Sequence, residues 1–364
     1  MHRITSLYLD LVRLLAALLV FFFHAKLTKF DGAWLKDIGS YGHDAVMIFF
    51  VISGYVIAYI TVTKSETIEE FAKARFARLY SVVVPALIIT VILDHFGKQI
   101  NQDIYLIDNF NEYSFPVLRF FANLFFVNEL WSSSWIAFSN APFWSLCYEF
   151  WYYVIFACAF YFQGIKKYLL VSITIFIAGP KIMLLFPVWL SGVWLFHLRI
   201  KISMSKIQAI LFAILPIIIY ALYRDMDGHK YLLQITIDIL GREFVYEDLK
   251  WSRRFLSDYL VGALFCMNLA GIIGLSKYIK ISNWIESPIR YFAGMTFAIY
   301  LLHMPLLYFY GAFMTNGVTI SMATLLTIFL LAPMTEGKKH QWYILIDQVI
   351  SIYKKNLNIN LRYS

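Results

Sequence analysis

Arg13 and His24 stand eleven residues apart within "LDLVRLLAALLVFFFHA" (9–25), a run otherwise apolar enough to cross a bilayer. On a helix, that spacing leaves the two side chains about 20° out of line and about 16.5 Å apart along the axis. They share one face at different depths. Asp10, three residues before Arg13, lies on the same face and can pair with it. Keeping an Arg or Asp mid-membrane costs roughly 2.5–3.5 kcal/mol even on the lenient insertion scale, so such a group is read first as functional. A histidine there is suited to accepting and returning a proton. The plainer reading has Arg13 snorkelling to one surface and His24 sitting at the other; their alignment weighs against it.

A second set lies in "APFWSLCYEFWYYV" (141–154). Pro142 opens a helix on which Glu149 shares a face with Ser145 and stands one turn from Tyr153. A carboxyl group at that depth has to be paired, protonated or facing water. Trp144 and its aromatic neighbours either line a cavity or pack. His303, in "FAIYLLHMPLL", is as readily a core hydrogen-bonding residue as a functional one. Ser53-Gly54, within "YGHDAVMIFFVISGYVIAYI" (41–60), points to close helix packing or a local break, and His43 and Asp44 before it read as solvated loop residues. "FAKARFARLYSVVVP" (71–85) gathers Lys73, Arg75 and Arg78 just ahead of a span. Positive charge on the cytoplasmic side explains such a cluster, and paired arginines also suit phosphate.

These residues must be positioned by membrane helices. Of 364 residues, 60% are hydrophobic and 15% charged, against about a quarter charged in a soluble domain. Apolar stretches near 8–25, 45–63, 80–93, 142–162, 168–180, 186–198, 207–223, 255–275, 291–311 and 318–335 predict ten spans, the third, fifth and sixth being short. The interrupted stretch 117–131 predicts an interfacial or re-entrant segment. Of the 31 Lys and Arg, 18 fall in the shorter set of connecting segments, which predicts that both termini are cytoplasmic. The long connections 94–141 and 224–254 are expected to form structured caps on the outer side. The expectation is one all-α, polytopic membrane domain over 1–335, with a short basic tail over 336–364.

The net charge of +8 is accounted for by membrane loops and predicts no nucleic-acid partner. The three cysteines have no CxxC spacing, so no disulfide framework and no metal site are expected. An Asp and an Arg within the first apolar run predict a retained span, not a signal peptide.

In register across nearly the whole chain, "LDLVRLLAALLVFFFHA", "IFFVISGYVIAYI", "FAKARFARLYSVVVP", "PFWSLCYEFWYYV" and "FAIYLLHMPLL" resemble the membrane acyltransferase 3 family, which O-acylates surface and secreted carbohydrates. "RFLSDYLVGALF" (254–265) and "LLAPMTEGKKHQW" (330–342) are weaker matches. The resemblance implies a multi-pass protein of the bacterial cytoplasmic membrane. It would take acyl-CoA, most often acetyl-CoA, on the cytoplasmic side and acylate a carbohydrate or glycolipid on the outer side, with glycan-assembly enzymes as candidate partners. Some members carry an SGNH domain; this chain is expected to be a stand-alone transferase. Arg13 and His24 match the family's essential pair, Arg75 and Arg78 its basic motif, and Glu149 the acid of its Trp-Ser-Leu motif; Ala74 departs from the basic pattern.

The expected mechanism has His24 as general base, Glu149 orienting it or another polar group, and Arg13, Arg75 and Arg78 holding the CoA phosphates. Asp10, Ser53, Trp144, Ser145 and His303 would line the substrate path. The competing expectation is a transporter or flippase that uses the buried charges as a relay.

Overall fold

The computed structural model describes residues 1–35, 38–106, 115–198 and 204–362. In chain order the helices are α1 (Arg3–Ala25), α2 (Gly42–Lys64), α3 (Ile68–Ile100), the single turn α4 (Asp103–Leu106), α5 (Pro116–Leu124), α6 (Trp144–Tyr161), α7 (Gly164–Ala178), α8 (Pro180–Leu198), α9 (Lys206–Asp225), α10 (Gly228–Leu240), α11 (Phe255–Leu275), α12 (Asn283–Ala293), α13 (Thr296–Gly311), α14 (Gly317–Leu331) and α15 (Lys339–Arg362). The described residues form no strand. The protein is an all-α, polytopic membrane protein. Below, the proximal side is the end where α1 begins and the distal side the end where it finishes.

Eight described helical runs are long and apolar enough to cross a membrane, and α12 with α13, bent by 47°, makes a ninth. The expected span 168–180 is α7, whose 15 residues reach only about 22 Å, short of the ~30 Å of hydrocarbon. The expected span 80–93 lies within α3, 33 residues long. A capping box starts that helix well before the apolar run: the Glu70 carboxylate accepts from the Thr67 backbone N–H at 2.8 Å, and the Thr67 hydroxyl accepts from the Glu70 N–H at 3.3 Å. The stretch 117–131, expected to be interfacial or re-entrant, is not one helix: its first part forms the short helix α5. The connection 224–254 holds α10 and two further helical turns.

Two features of this bundle bear on the site. First, α2 and α8 touch backbone to backbone. A Cβ on Gly54 would lie 2.0 Å from the Trp189 carbonyl oxygen, and one on Gly192 would lie 2.0 Å from that of Val51. Close packing is thus the use of the Ser53-Gly54 pair, and it brings the Trp189 indole N–H to within 3.2 Å of Ser53 Oγ. Second, α13 runs through the centre, with every residue from Ala298 to Tyr308 buried. The bend before it exposes backbone N–H groups inside the bundle, where no bulk water can satisfy them. A Glu336 carboxylate oxygen accepts from Phe297 N–H at 3.0 Å and Ala298 N–H at 3.2 Å. The expected boundary at 335 therefore falls one residue before a side chain that caps the central helix. Beyond it, α15 lies along α3, joined by Lys73 to Asp347 at 2.7 Å.

A buried ion pair ties the distal cap to α8: Glu129 and Lys181, 2.6 Å apart and almost wholly enclosed. Ser134 Oγ and the Trp251 indole N–H also donate to Glu129, at 2.8 and 3.2 Å. Burial pushes the Glu129 carboxyl up, and Lys181 opposes the shift.

Candidate active site

Two cavities lie end to end between α1, α2, α6 and α13. The proximal one is lined by Arg13, Ser53, Arg78, Ser145, Glu149 and Tyr300, among others. The distal one is lined by His24, His43, Trp144, Trp251 and Tyr300, with a group of basic residues. Val46 and Tyr300 line both, so the two meet at this pair.

In the proximal cavity, each polar side chain comes from an apolar helix and faces the shared interior. Glu149 Oε1 accepts from Ser53 Oγ at 2.6 Å and from the Tyr153 hydroxyl. Both hydroxyls thus converge on one oxygen of the carboxyl group. The positive side is supplied by Arg13 and Arg78, both within electrostatic reach of Glu149 and Glu336. Arg13 stands 3.7 Å from Asp10, as their spacing predicts, but Asp10 has a closer partner in Arg290 at 2.8 Å. Ser145 Oγ meets the Tyr300 hydroxyl at 2.6 Å.

Arg75 and Arg78 stand only about 60° out of line around α3, yet their guanidinium groups enter different cavities. Arg78 faces the cavity. Arg75 lies in a separate apolar groove, 3.7 Å from Glu66 and over the Phe71 ring.

In the distal cavity, the imidazole touching His24 is His303, not a carboxylate. His303 Nδ1 lies 2.9 Å from the Ile299 carbonyl oxygen, and His24 Nδ1 lies 3.0 Å from that of Val20. A carbonyl can only accept, so both Nδ1 atoms carry hydrogen. Neutral His303 then offers a bare Nε2, and His24 Nδ1 lies 2.9 Å from it, donating. The arrangement leaves His24 Nε2 as a free lone pair, with no hydrogen-bond partner among the described residues. His303 is fully buried, whereas His24 keeps part of its surface on the cavity.

His43 and Asp44 are not solvated loop residues, as the sequence suggested. Both sit in the first turn of α2. His43 Nε2 pairs with Asp258 at 2.9 Å. Asp44, 2% exposed, accepts from the Tyr220 hydroxyl at 2.7 Å and pairs with Arg224 at 3.1 Å and Arg254 at 3.4 Å. Trp144 is stacked between His43 and Trp251, with the two indoles 5.4 Å apart and 8° from parallel. Asp258, Trp251 and Glu336 were missed because their partners are remote in sequence; Asp258 is 215 residues from His43. Tyr300, three residues before His303, could have been picked out as lying on its helix face.

Taken together, fold and site define a multi-pass membrane protein whose core holds two adjoining cavities, arginine and glutamate in one and paired histidines at the other. Residues 6–335 match the acyltransferase 3 family model, described as an acyltransferase domain. The chain belongs to that family and is a membrane acyltransferase. No curated protein and no solved structure matches it.

Proposed function

We propose that the protein transfers an acyl group, most commonly acetyl, from acyl-CoA on the proximal side to a carbohydrate hydroxyl on the distal side. In this reading the proximal side is the cytoplasm and the membrane is the bacterial cytoplasmic membrane. The observation that carries it is the junction of the two cavities at Val46 and Tyr300, below a histidine with a free Nε2.

Arg13 and Arg78 present N–H donors suited to the oxyanions of the donor, while Glu149 holds Ser53 and Tyr153 in place beside them. Arg75 supports α3 from behind through Glu66. At the junction, His24 Nε2 removes the proton of the acceptor hydroxyl as its oxygen attacks the thioester carbonyl. The acyl–sulfur bond breaks as the acyl–oxygen bond forms, and the proton on His24 passes to the departing CoA thiolate. The Val20 carbonyl holds the tautomer of His24, and His303 fixes its tilt and so acts as a positioning residue. Asp10, Ser145 and Trp144 line or brace the path.

The test is transfer of labelled acetyl from acetyl-CoA to glycan by the purified full chain in proteoliposomes. Label on carbohydrate that is lost in His24→Ala, with insertion and abundance unchanged, is the expected result. Glycan or acyl movement across the bilayer without any label on carbohydrate would instead mean transport and would overturn the proposal.

A further inference from the structure

The lining of the distal cavity is basic, with the buried Asp258 behind His43. Lys250, Arg253 and Arg254 line it beside His24 and His43, and none of its lining residues is acidic. Lys250 is answered by Glu247 at 3.1 Å. Arg254 lies 3.4 Å from Asp44, but Asp44 also holds Arg224 at 3.1 Å, so one carboxylate serves two guanidinium groups. The Arg254 Nε is buried without a hydrogen-bond partner among the described residues. Arg253 makes no ion pair among the described residues, and its guanidinium rests over the Tyr246 ring, 5.2 Å from its centre. Lys26, just past the end of α1, is held below the usual lysine range by burial and then by the charge of Arg224.

The same cavity has a rigid aromatic wall. Trp251 is stacked on Trp144 and pinned by its indole N–H to the buried Glu129. Aromatic faces carry negative quadrupole density that attracts the C–H bonds of a sugar ring, and arginine binds carboxylate or phosphate in bidentate fashion. Wall and cations together describe one kind of ligand.

We propose that the distal cavity takes an acidic carbohydrate, a glycan bearing a carboxylate or phosphate near the acylated hydroxyl, with Arg253 as the main contact to the oxyanion and Lys250 and Arg254 beside it. This inference rests on the reading that the acceptor hydroxyl meets His24 in this cavity.

The experiment is binding without any acyl donor, using the full chain in nanodiscs of neutral lipid. The probes are oligogalacturonate, a glycerol-phosphate-substituted oligosaccharide and maltooligosaccharide of matched length. At least one acidic probe is expected to bind about tenfold more tightly than the neutral one, a preference weakening with added salt. Arg253→Gln should remove most of that preference without changing maltooligosaccharide binding, and Arg253→Lys should retain part of it. Equal binding of all three probes overturns the proposal. So does a preference that survives Arg253→Gln combined with Lys250→Gln. If, in a second set of nanodiscs containing phosphatidylglycerol, that double variant alters only the response to this lipid, the cations serve lipid headgroups and the proposal also falls. Because no donor is present, acidic binding by a protein that never transfers acyl groups would sink the transferase reading alone. Equal transfer to neutral and acidic glycans would sink this inference alone.

Discussion

The contact between His24 and His303 makes a quantitative prediction. Replacing His303 by Leu removes the acceptor for His24 Nδ1, at 2.9 Å, while the Val20 carbonyl at 3.0 Å still holds the tautomer. One neutral hydrogen bond contributes about 1 kcal/mol, or about fivefold in rate if all of it serves to aim His24. Loss of a general base costs far more, on the order of 10²–10⁴-fold. His303→Leu should therefore lower kcat about fivefold with the acceptor KM little changed. His303→Gln, which keeps an acceptor oxygen near the position of Nε2, should recover most of that loss. His24→Ala should fall at least a hundredfold, and the double variant His24→Ala/His303→Leu should be no slower than His24→Ala alone, since His303 acts only through its partner. Single-turnover acetyl transfer in proteoliposomes, with thermal unfolding in detergent as a control for folding, reads all four proteins. A double variant a further fivefold below His24→Ala would refute the reasoning, because the two histidines would then act independently.

Other consequences can be measured directly. Arg78→Gln should raise the KM for acyl-CoA and lower kcat/KM by about tenfold or more, the loss of a charge-assisted contact, whereas Arg75→Gln should act mainly on thermal stability through Glu66. Glu129→Ala should destabilise by about 3–5 kcal/mol because it strands the buried Lys181; Glu129→Gln combined with Lys181→Met should recover much of this in a detergent melt. Gly54→Ala places a methyl against the Trp189 carbonyl, so it should cost about 1–3 kcal/mol and weaken the hold on Ser53, read as lower stability and lower transfer together. Glu336→Ala leaves the Phe297 and Ala298 N–H groups without their acceptor and should lower stability by about 1–3 kcal/mol.

Much of the fold was legible because crossing a bilayer demands long apolar runs, a signal carried in single segments. The shared face of Arg13 and His24 was legible for the same reason, since periodicity within one helix is local. The partners of those residues were not. Nothing around position 24 announces His303, 279 residues away, and the acid supporting the second cavity histidine, Asp258, comes from another helix altogether. Arg75 and Arg78 look equivalent in a string of letters and start from neighbouring positions on α3, yet one guanidinium goes to Glu66 and the other to the cavity. Boundaries were blurred where helices outrun their apolar core, as α3 does at both ends, or fall short of the membrane, as α7 does. His43 and Asp44 were misread because polarity beside a span usually means water, and only the packing of α9 and α11 encloses them.

The family match ends at residue 335, and every apolar stretch predicted to span the membrane ends there as well. A chain shortened to that point would retain every predicted span and lose the carboxylate that accepts from the open end of α13. The helix carrying Tyr300 and His303 would then begin with two bare N–H groups beside Arg13 and Arg78, positive charge facing positive charge. Such a chain should reach the membrane and stay there, yet hold its histidines out of true. Transfer activity lost in such a chain, with insertion intact, would place the functional limit of this domain beyond its hydrophobic one.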